Sequence, residues 1–152
     1  MNNDKAIDVL NTLIVINNDR IEGYETAFED TEHADLKALF PQFQQTSQKC
    51  KMELVNEVNR LGGTPDEGTR LSGKVYRMWM DIKAALTNHD RKSVIDWCEY
   101  GEDVADRTYQ EALNENHDDL TDEQEEMLKA QHLALKADYD KVRTMRDELI
   151  ET

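Results

Sequence analysis

Apolar side chains recur at alternating spacings of three and four residues over four long stretches, and no other feature limits the fold as strongly. The stretches are residues 4–29, 33–61, 91–115 and 122–150. This spacing places the apolar side chains on one face of a helix. Only 6 Gly and 2 Pro occur in 152 residues, a scarcity of breakers that argues against sandwiches and barrels. The sequence therefore predicts an all-α protein.

The ends of these helices carry recognisable signals. Asp4 is a candidate N-cap for the first helix, and Thr121 with Gln124 three residues later forms a capping-box pattern before the last one. The Gly-Gly pair at 62–63 is expected to end the second helix. Pro41 leaves two possibilities open, a kinked helix or a helix that begins at the proline.

The connections between the helices are unequal in length. Helices of about 25–30 residues are roughly 40 Å long, so the four match and pack side by side. Short turns join the first pair and the last pair, which we expect to be antiparallel hairpins. Residues 62–90 form a long connection with a predicted helix of its own at 71–87. A four-helix bundle with one long crossover has the ferritin-like topology, and we expect residues 1–152 to form one such domain.

Charge and cysteine content restrict the partners and the compartment. The chain has 33 acidic and 18 basic residues, a net charge of -15, which opposes binding to nucleic acids and to anionic membranes. No signal sequence and no stretch long and apolar enough to span a membrane is recognised. Two cysteines, Cys50 and Cys98, do not make a disulfide framework. We therefore expect a cytoplasmic protein.

The first and third long helices share a local pattern. Asn17 precedes Tyr24 by seven residues, and Glu102 precedes Tyr109 by seven, each tyrosine being followed by x-x-Ala and an apolar residue. A bundle of two pseudo-twofold related hairpins would place the two pairs at equivalent depths. Coincidence between two helices of similar spacing is the alternative interpretation.

Four stretches of the sequence resemble a known family. They are IDVLNTLIVINNDRIEGYETAFED, VNRLGGTP, WMDIKAALT and GEDVADRTYQEAL. Together they resemble a bacterial ferritin-like family of small acidic four-helix bundles that is catalogued mainly as a domain of unknown function. The resemblance covers nearly the whole chain and implies a ferritin-like bundle, but it implies no activity.

Ferritin-like di-iron sites use two Glu residues and two Glu-x-x-His pairs, and this chain lacks most of them. None of its four histidines follows a Glu at the required spacing. The positions that correspond to the six ligands carry mostly other residues, namely Asn17, Ser47, Cys50, Glu102, Leu128 and Gln131. Only Glu102 matches, so the resemblance implies that the di-iron ligands are largely absent.

The same positions nonetheless predict a polar cluster inside the bundle. Its candidates are Asn17, Cys50, Glu102 and Gln131, with Tyr24 and Tyr109 adjacent. In one interpretation, Glu102 is hydrogen-bonded to Asn17, Gln131 or a tyrosine hydroxyl, since a buried carboxyl group needs a partner. In the other, Cys50, Glu102 and a group from the last helix hold one zinc ion.

Three hypotheses for the function remain. The first is a non-catalytic structural or stress-associated bundle that acts through protein contacts or self-association, for which we expect a homodimer or a protein partner. The second is a remodelled ferritin-like metalloprotein that binds a single metal or iron through Glu102 and its neighbours. The third is a small-molecule carrier with a cavity between the helices. The sequence favours the first and predicts no catalytic residue, no metal ligand and no cofactor.

Overall fold

The computed structural model describes residues 3–68 and 91–151. Within these residues the chain forms an all-α four-helix bundle without strands, as the spacing predicts. The elements are α1 (Asp4–Asp30), α2 (Ala34–Arg60), α3 (Arg91–Glu115), a single 3₁₀ turn (His117–Asp119) and α4 (Asp122–Glu151). The helix predicted at 71–87 lies outside the described residues. None of the described helices has a stretch long and apolar enough to cross a membrane.

The start of α1 differs from the prediction, and the course of α2 decides between the two alternatives for Pro41. Asn3, not Asp4, occupies the N-cap position of α1, and its side chain makes no capping hydrogen bond. Pro41 lies inside α2, which runs unbroken through it. Phe40 and Phe43 on either side are fully buried, and their packing offsets the backbone hydrogen bond that the proline removes.

The predicted end of α2 and start of α4 are confirmed. Gly62 has φ of 82°, and the amides of Gly62 and Gly63 bond back to Asn59 and Val58. This pattern is a Schellman motif, which glycine favours because it has no Cβ. At α4, the amide of Gln124 donates to the Thr121 hydroxyl (3.1 Å), and the Thr121 amide donates to the Gln124 side chain (2.9 Å).

Contacts between helices fix their directions. Residues early in α1 meet the end of α2, and residues late in α3 meet the start of α4, so both hairpins are antiparallel. Arg91 at the start of α3 bonds Asp35 at the start of α2, so these two helices run in the same direction. The connection from α2 to α3 therefore begins and ends at opposite ends of the bundle. Its first residues follow α1, where Asn11 bonds Thr64 and Asp66.

The core consists of two apolar clusters with a polar layer between them. The first cluster comprises Tyr24, Ala27, Leu36, Phe40, Phe43, Val94, Ile95, Trp97, Cys98 and Val142. The second comprises Val9, Leu10, Leu13, Ile14, Leu54, Val58, Tyr109, Ala112, Leu128 and Leu135. The buried polar layer contains Asn17, Arg20, Ser47, Glu102, Gln131 and Asp138. Every helix thus contributes to it.

The buried face of α1 lies one residue earlier than the sequence predicts. The strict spacing predicts Ile21 and Phe28 on this face, but Phe28 is 38% exposed and Ile21 only half-buried. Arg20 and Ala27 are buried instead. Arg20 lies seven residues after Leu13 and seven before Ala27, so these buried residues form a seven-residue repeat of their own, one residue before the predicted one. This shift brings a charged side chain into the core.

Candidate functional site

The guanidinium of Arg20 lies at the centre of the polar layer, and the side chain is only 4% exposed. Nε and Nη2 donate to Glu102 Oε1, at 3.2 and 2.7 Å. Nη2 also donates to Asp138 Oδ2 at 3.1 Å. Nη1 donates to the Ser47 hydroxyl at 2.5 Å and to the Phe43 carbonyl at 3.3 Å. These five contacts use all five N–H donors of the guanidinium and join the four helices.

Glu102 is the most enclosed carboxyl group of the layer, with 1% of the residue exposed. Its Oε1 also accepts a short hydrogen bond from the Tyr24 hydroxyl. Burial raises the pKa of Glu102 above 4.5, although Arg20 and Tyr24 act in the opposite direction. The Tyr24 ring packs on Phe40 and Phe43, with centroids 5.3 and 5.1 Å away.

A second group of hydrogen bonds lies around Tyr109, seven residues after Glu102 on α3. The side-chain amide of Asn17 donates to the Tyr109 hydroxyl at 2.9 Å. That hydroxyl donates to Gln131 Oε1 at 2.8 Å. Gln131 Nε2 lies 3.4 Å from the backbone carbonyl of Cys50 and 3.0 Å from Glu53 Oε1. This group links α1, α3, α4 and α2.

The structure brings all six predicted site residues together. Asn17, Glu102 and Gln131 lie in the polar layer, and the hydroxyls of Tyr24 and Tyr109 and the backbone carbonyl of Cys50 bond to it. Of the partners expected for Glu102, it selects a tyrosine hydroxyl, that of Tyr24. The repeated pattern of α1 and α3 is paired crosswise, since Asn17 of α1 meets Tyr109 of α3 while Glu102 of α3 meets Tyr24 of α1. The two pairs therefore occupy corresponding positions in an antiparallel α1–α3 contact, as the pseudo-twofold interpretation predicts.

Arg20, Asp138 and Ser47 are the site residues for which the sequence predicted no role in this cluster. Ser47 and Asp138 occupy positions of α2 and α4 at which the repeat predicts an apolar side chain. A polar residue at such a position is expected to be buried. Arg20 falls three residues after Asn17 and four before Tyr24. That spacing places it on the same helix face, but the predicted repeat through Ile14 assigns the position to Ile21.

Cys50 takes part in the layer through its backbone carbonyl. Burial raises the pKa of its thiol from 9.0 to about 11. The Cys98 thiol also has a pKa well above 9.0, chiefly because it is buried. Both cysteines are free and buried. Each thiol is therefore protonated at neutral pH, whereas zinc binds the thiolate.

The described residues do not fit a metal ion in the layer. No three His, Cys, Asp or Glu side chains within 3–68 and 91–151 come together as ligands. The guanidinium of Arg20 is itself the cation between Glu102 and Asp138. A divalent ion at this place would have to displace those contacts and lie beside a permanent positive charge.

A pocket of about 430 Å³ opens at the surface where α3 ends and α4 begins. Two histidines line it, each beside a carboxyl group. His117 Nδ1 lies 3.0 Å from Glu125 Oε1, and His132 Nε2 lies 2.6 Å from Asp106 Oδ1. Neither Tyr24 nor Tyr109 lines this pocket, so it is not the inter-helix cavity expected for a carrier.

Comparison with known proteins identifies one family. Among curated proteins, no match was found. A family described as a domain of unknown function (DUF2383) matches residues 5–115, which is well over half of the chain. The match runs from the first turn of α1 to the end of α3 and includes Asn17, Arg20, Glu102 and Tyr109. The chain therefore belongs to the DUF2383 family.

Proposed function

We propose that this protein is a non-catalytic helical bundle that acts through contacts with other proteins or with copies of itself. The observation that carries the proposal is the use of all five guanidinium donors of Arg20 inside the bundle. Catalytic groups have to reach a substrate. Arg20 and Glu102, at the centre of the polar layer, are only 4% and 1% exposed. Such a layer serves to fix the register of four helices.

We also propose that residues 1–152 form one domain with the ferritin-like topology. Two antiparallel hairpins whose connection begins and ends at opposite ends of the bundle support this arrangement. A bacterial source and a cytoplasmic location stay predictions from the sequence.

The side chains of the polar layer support the metalloprotein alternative less than they support the non-catalytic bundle. Five of the six positions that correspond to ferritin-like ligands carry no carboxyl group or histidine, and the sixth, Glu102, is bonded to Arg20. A stress-associated role and the carrier hypothesis likewise stay predictions, and no contact in the layer favours either.

Metal analysis and sedimentation together test the proposal. The purified protein is incubated anaerobically with iron, manganese or zinc, desalted, and analysed for bound metal. We expect no stoichiometric metal in the wild type or in Glu102→Gln, which serves as the matched control. One metal retained by the wild type and lost from Glu102→Gln would overturn the proposal.

Sedimentation at micromolar concentrations tests self-association. We expect a species heavier than the 17.6 kDa chain. Met52 and Leu133 are candidates for the contact, because 64% and 69% of these apolar residues is exposed. Leu133→Ser and Met52→Ser then locate the contact, with Thr144→Ser as a control on a solvent-facing position. A monomer at every concentration would reject self-association, and failure to crosslink to any other protein in cells would reject the proposal as a whole.

A further inference from the structure

The two oxygens of the Glu102 carboxyl group have unequal surroundings. Oε1 accepts three hydrogen bonds, two from Arg20 and one from Tyr24. Oε2 is fully buried and has no hydrogen-bond partner among the described residues. An ionised carboxyl group has two equivalent acceptors, whereas a protonated one has an acceptor oxygen and a hydroxyl that donates. If Glu102 were ionised, Oε2 would be a buried charged acceptor that receives no donor, which is costly.

A second unused acceptor lies in the same layer. Asn17 Oδ1 is buried and meets no donor in the part of the chain that the structure describes. Its Nδ2 is already used, donating to the Tyr109 hydroxyl and the Leu13 carbonyl. Buried acceptors without donors are costly, so the layer lacks a donor and not an acceptor.

Charge balance leads to the same conclusion. The ionisable groups that face Glu102 are Arg20 and Tyr24 on α1, Cys98 one turn earlier on α3, and Asp138 on α4. α2 contributes only the uncharged Ser47 hydroxyl and Phe43 carbonyl to the guanidinium. Two ionised carboxyl groups around one guanidinium would leave a net negative charge in a site closed to water, which is unfavourable. One ionised carboxyl group leaves the layer neutral.

Exposure distinguishes the two carboxyl groups. The side chain of Asp138 is 8% exposed and that of Glu102 is 1% exposed. The more enclosed group has the larger penalty for ionisation. Burial is also the largest contribution to the raised pKa of Glu102.

We infer that Glu102 is a neutral carboxylic acid in the folded protein at pH 7, with its proton on Oε2, and that the polar layer is thus a buried proton-binding site. Arg20 and Asp138 form the ion pair, while Glu102 accepts from Arg20 and Tyr24 through Oε1. This inference does not depend on the proposed function, because a partner-binding protein and a free-standing bundle would hold the proton equally.

The proton links folding to pH in a defined direction. In the unfolded chain Glu102 ionises near its ordinary pKa of 4.5, and in the folded protein its pKa lies higher. The folded state therefore binds the proton more tightly. Its contribution to stability is fully present below pH 4.5 and is lost as pH rises through the folded-state pKa.

Infrared spectroscopy of the full chain in D₂O tests the inference directly. A protonated carboxylic acid has a carbonyl stretch well separated from that of a carboxylate. We expect this band at pH 7 in the wild type, a shift of the band when the protein is labelled with ¹³C-glutamate, and its loss in Glu102→Gln. Glu99→Gln is the matched control on α3, and it should keep the band. No glutamate-derived band at pH 7 in the wild type would overturn the inference even if Glu102→Gln did not fold.

Melting temperatures give a second, independent comparison. Gln reproduces the shape and neutrality of a protonated Glu, so Glu102→Gln should melt close to the wild type at pH 7. Asp138→Asn removes the carboxylate that neutralises Arg20 and should melt far lower. An equal fall in melting temperature in the two variants, or a larger fall in Glu102→Gln, would contradict the inference.

Discussion

The side-chain amide of Asn17 donates a hydrogen bond to the hydroxyl of Tyr109, 2.9 Å away on a helix 92 residues later in the chain. Seven residues further along α1, Tyr24 donates to Glu102, which precedes Tyr109 by seven. Both hydrogen bonds join α1 to α3, and these two helices are antiparallel. They are the structural consequence of the repeated pattern in α1 and α3.

Removal of the Tyr109 hydroxyl should destabilise the bundle. In Tyr109→Phe, the donor of Asn17 and the acceptor of Gln131 both lose their partner inside the core. We expect a loss of about 1–3 kcal/mol in the free energy of unfolding, measured by urea denaturation. Tyr100→Phe is the control, since Tyr100 is 47% exposed, and it should change stability little. A similar loss in both variants would show that the hydrogen bonds of Tyr109 contribute nothing particular.

Removal of the Arg20 guanidinium should have a larger effect. Arg20→Met leaves Asp138 as a buried carboxylate without a counter-charge, and it removes the donor to the Ser47 hydroxyl and the Phe43 carbonyl of α2. Breaking a buried pair in this way costs about 3–5 kcal/mol. Chemical denaturation of Arg20→Met against Arg143→Met, an arginine whose side chain is 43% exposed, measures the difference. Near-equal midpoints would refute the central role of Arg20.

Two glycines should respond to alanine in opposite directions. Gly62 has φ of 82°, and a Cβ there would meet no atom within 4 Å, so the cost of Gly62→Ala is conformational only. We expect a loss of about 1 kcal/mol. Gly101 lies inside α3, also with open space around a Cβ. Gly101→Ala should stabilise by about 0.5–1 kcal/mol because alanine favours the helix. Thermal melts that show the same sign for both variants would contradict this pair of expectations.

The buried thiols should be unreactive in the native protein. The pKa of Cys50 is raised from 9.0 to about 11, so its thiol stays protonated at pH 8. A thiol-specific chromogenic reagent should label neither Cys50 nor Cys98 rapidly at pH 8, whereas the chain unfolded in guanidinium chloride should react with both.

The same shift predicts a loss of stability at alkaline pH. A thiol with a raised pKa contributes stability that is present below pH 9.0 and lost as pH rises through about 11. The free energy of unfolding should therefore fall more steeply over this interval in the wild type than in Cys50→Ala. Parallel curves for the two proteins would argue against a raised pKa.

The sequence by itself determined the helices and most of the candidate site. Apolar spacing, the Gly-Gly stop and the Thr121 capping box are local signals, and the structure follows them to within a residue or two. The polar residues at apolar-spaced positions, Asn17, Glu102 and Gln131, could be found because a polar residue on a buried helix face interrupts a regular pattern. Each of these signals depends only on neighbours along the chain.

Only the tertiary structure decided that Arg20 lies at the centre. Arg20 and Ile21 compete for the buried face of α1, and each continues a seven-residue repeat, Arg20 from Leu13 and Ile21 from Ile14. Packing against the other helices turns Arg20 inward, which is tolerable only because Asp138, 118 residues away, and Glu102 receive its donors. Since the cost of burying a charge depends on partners from other helices, no local pattern in α1 specifies it.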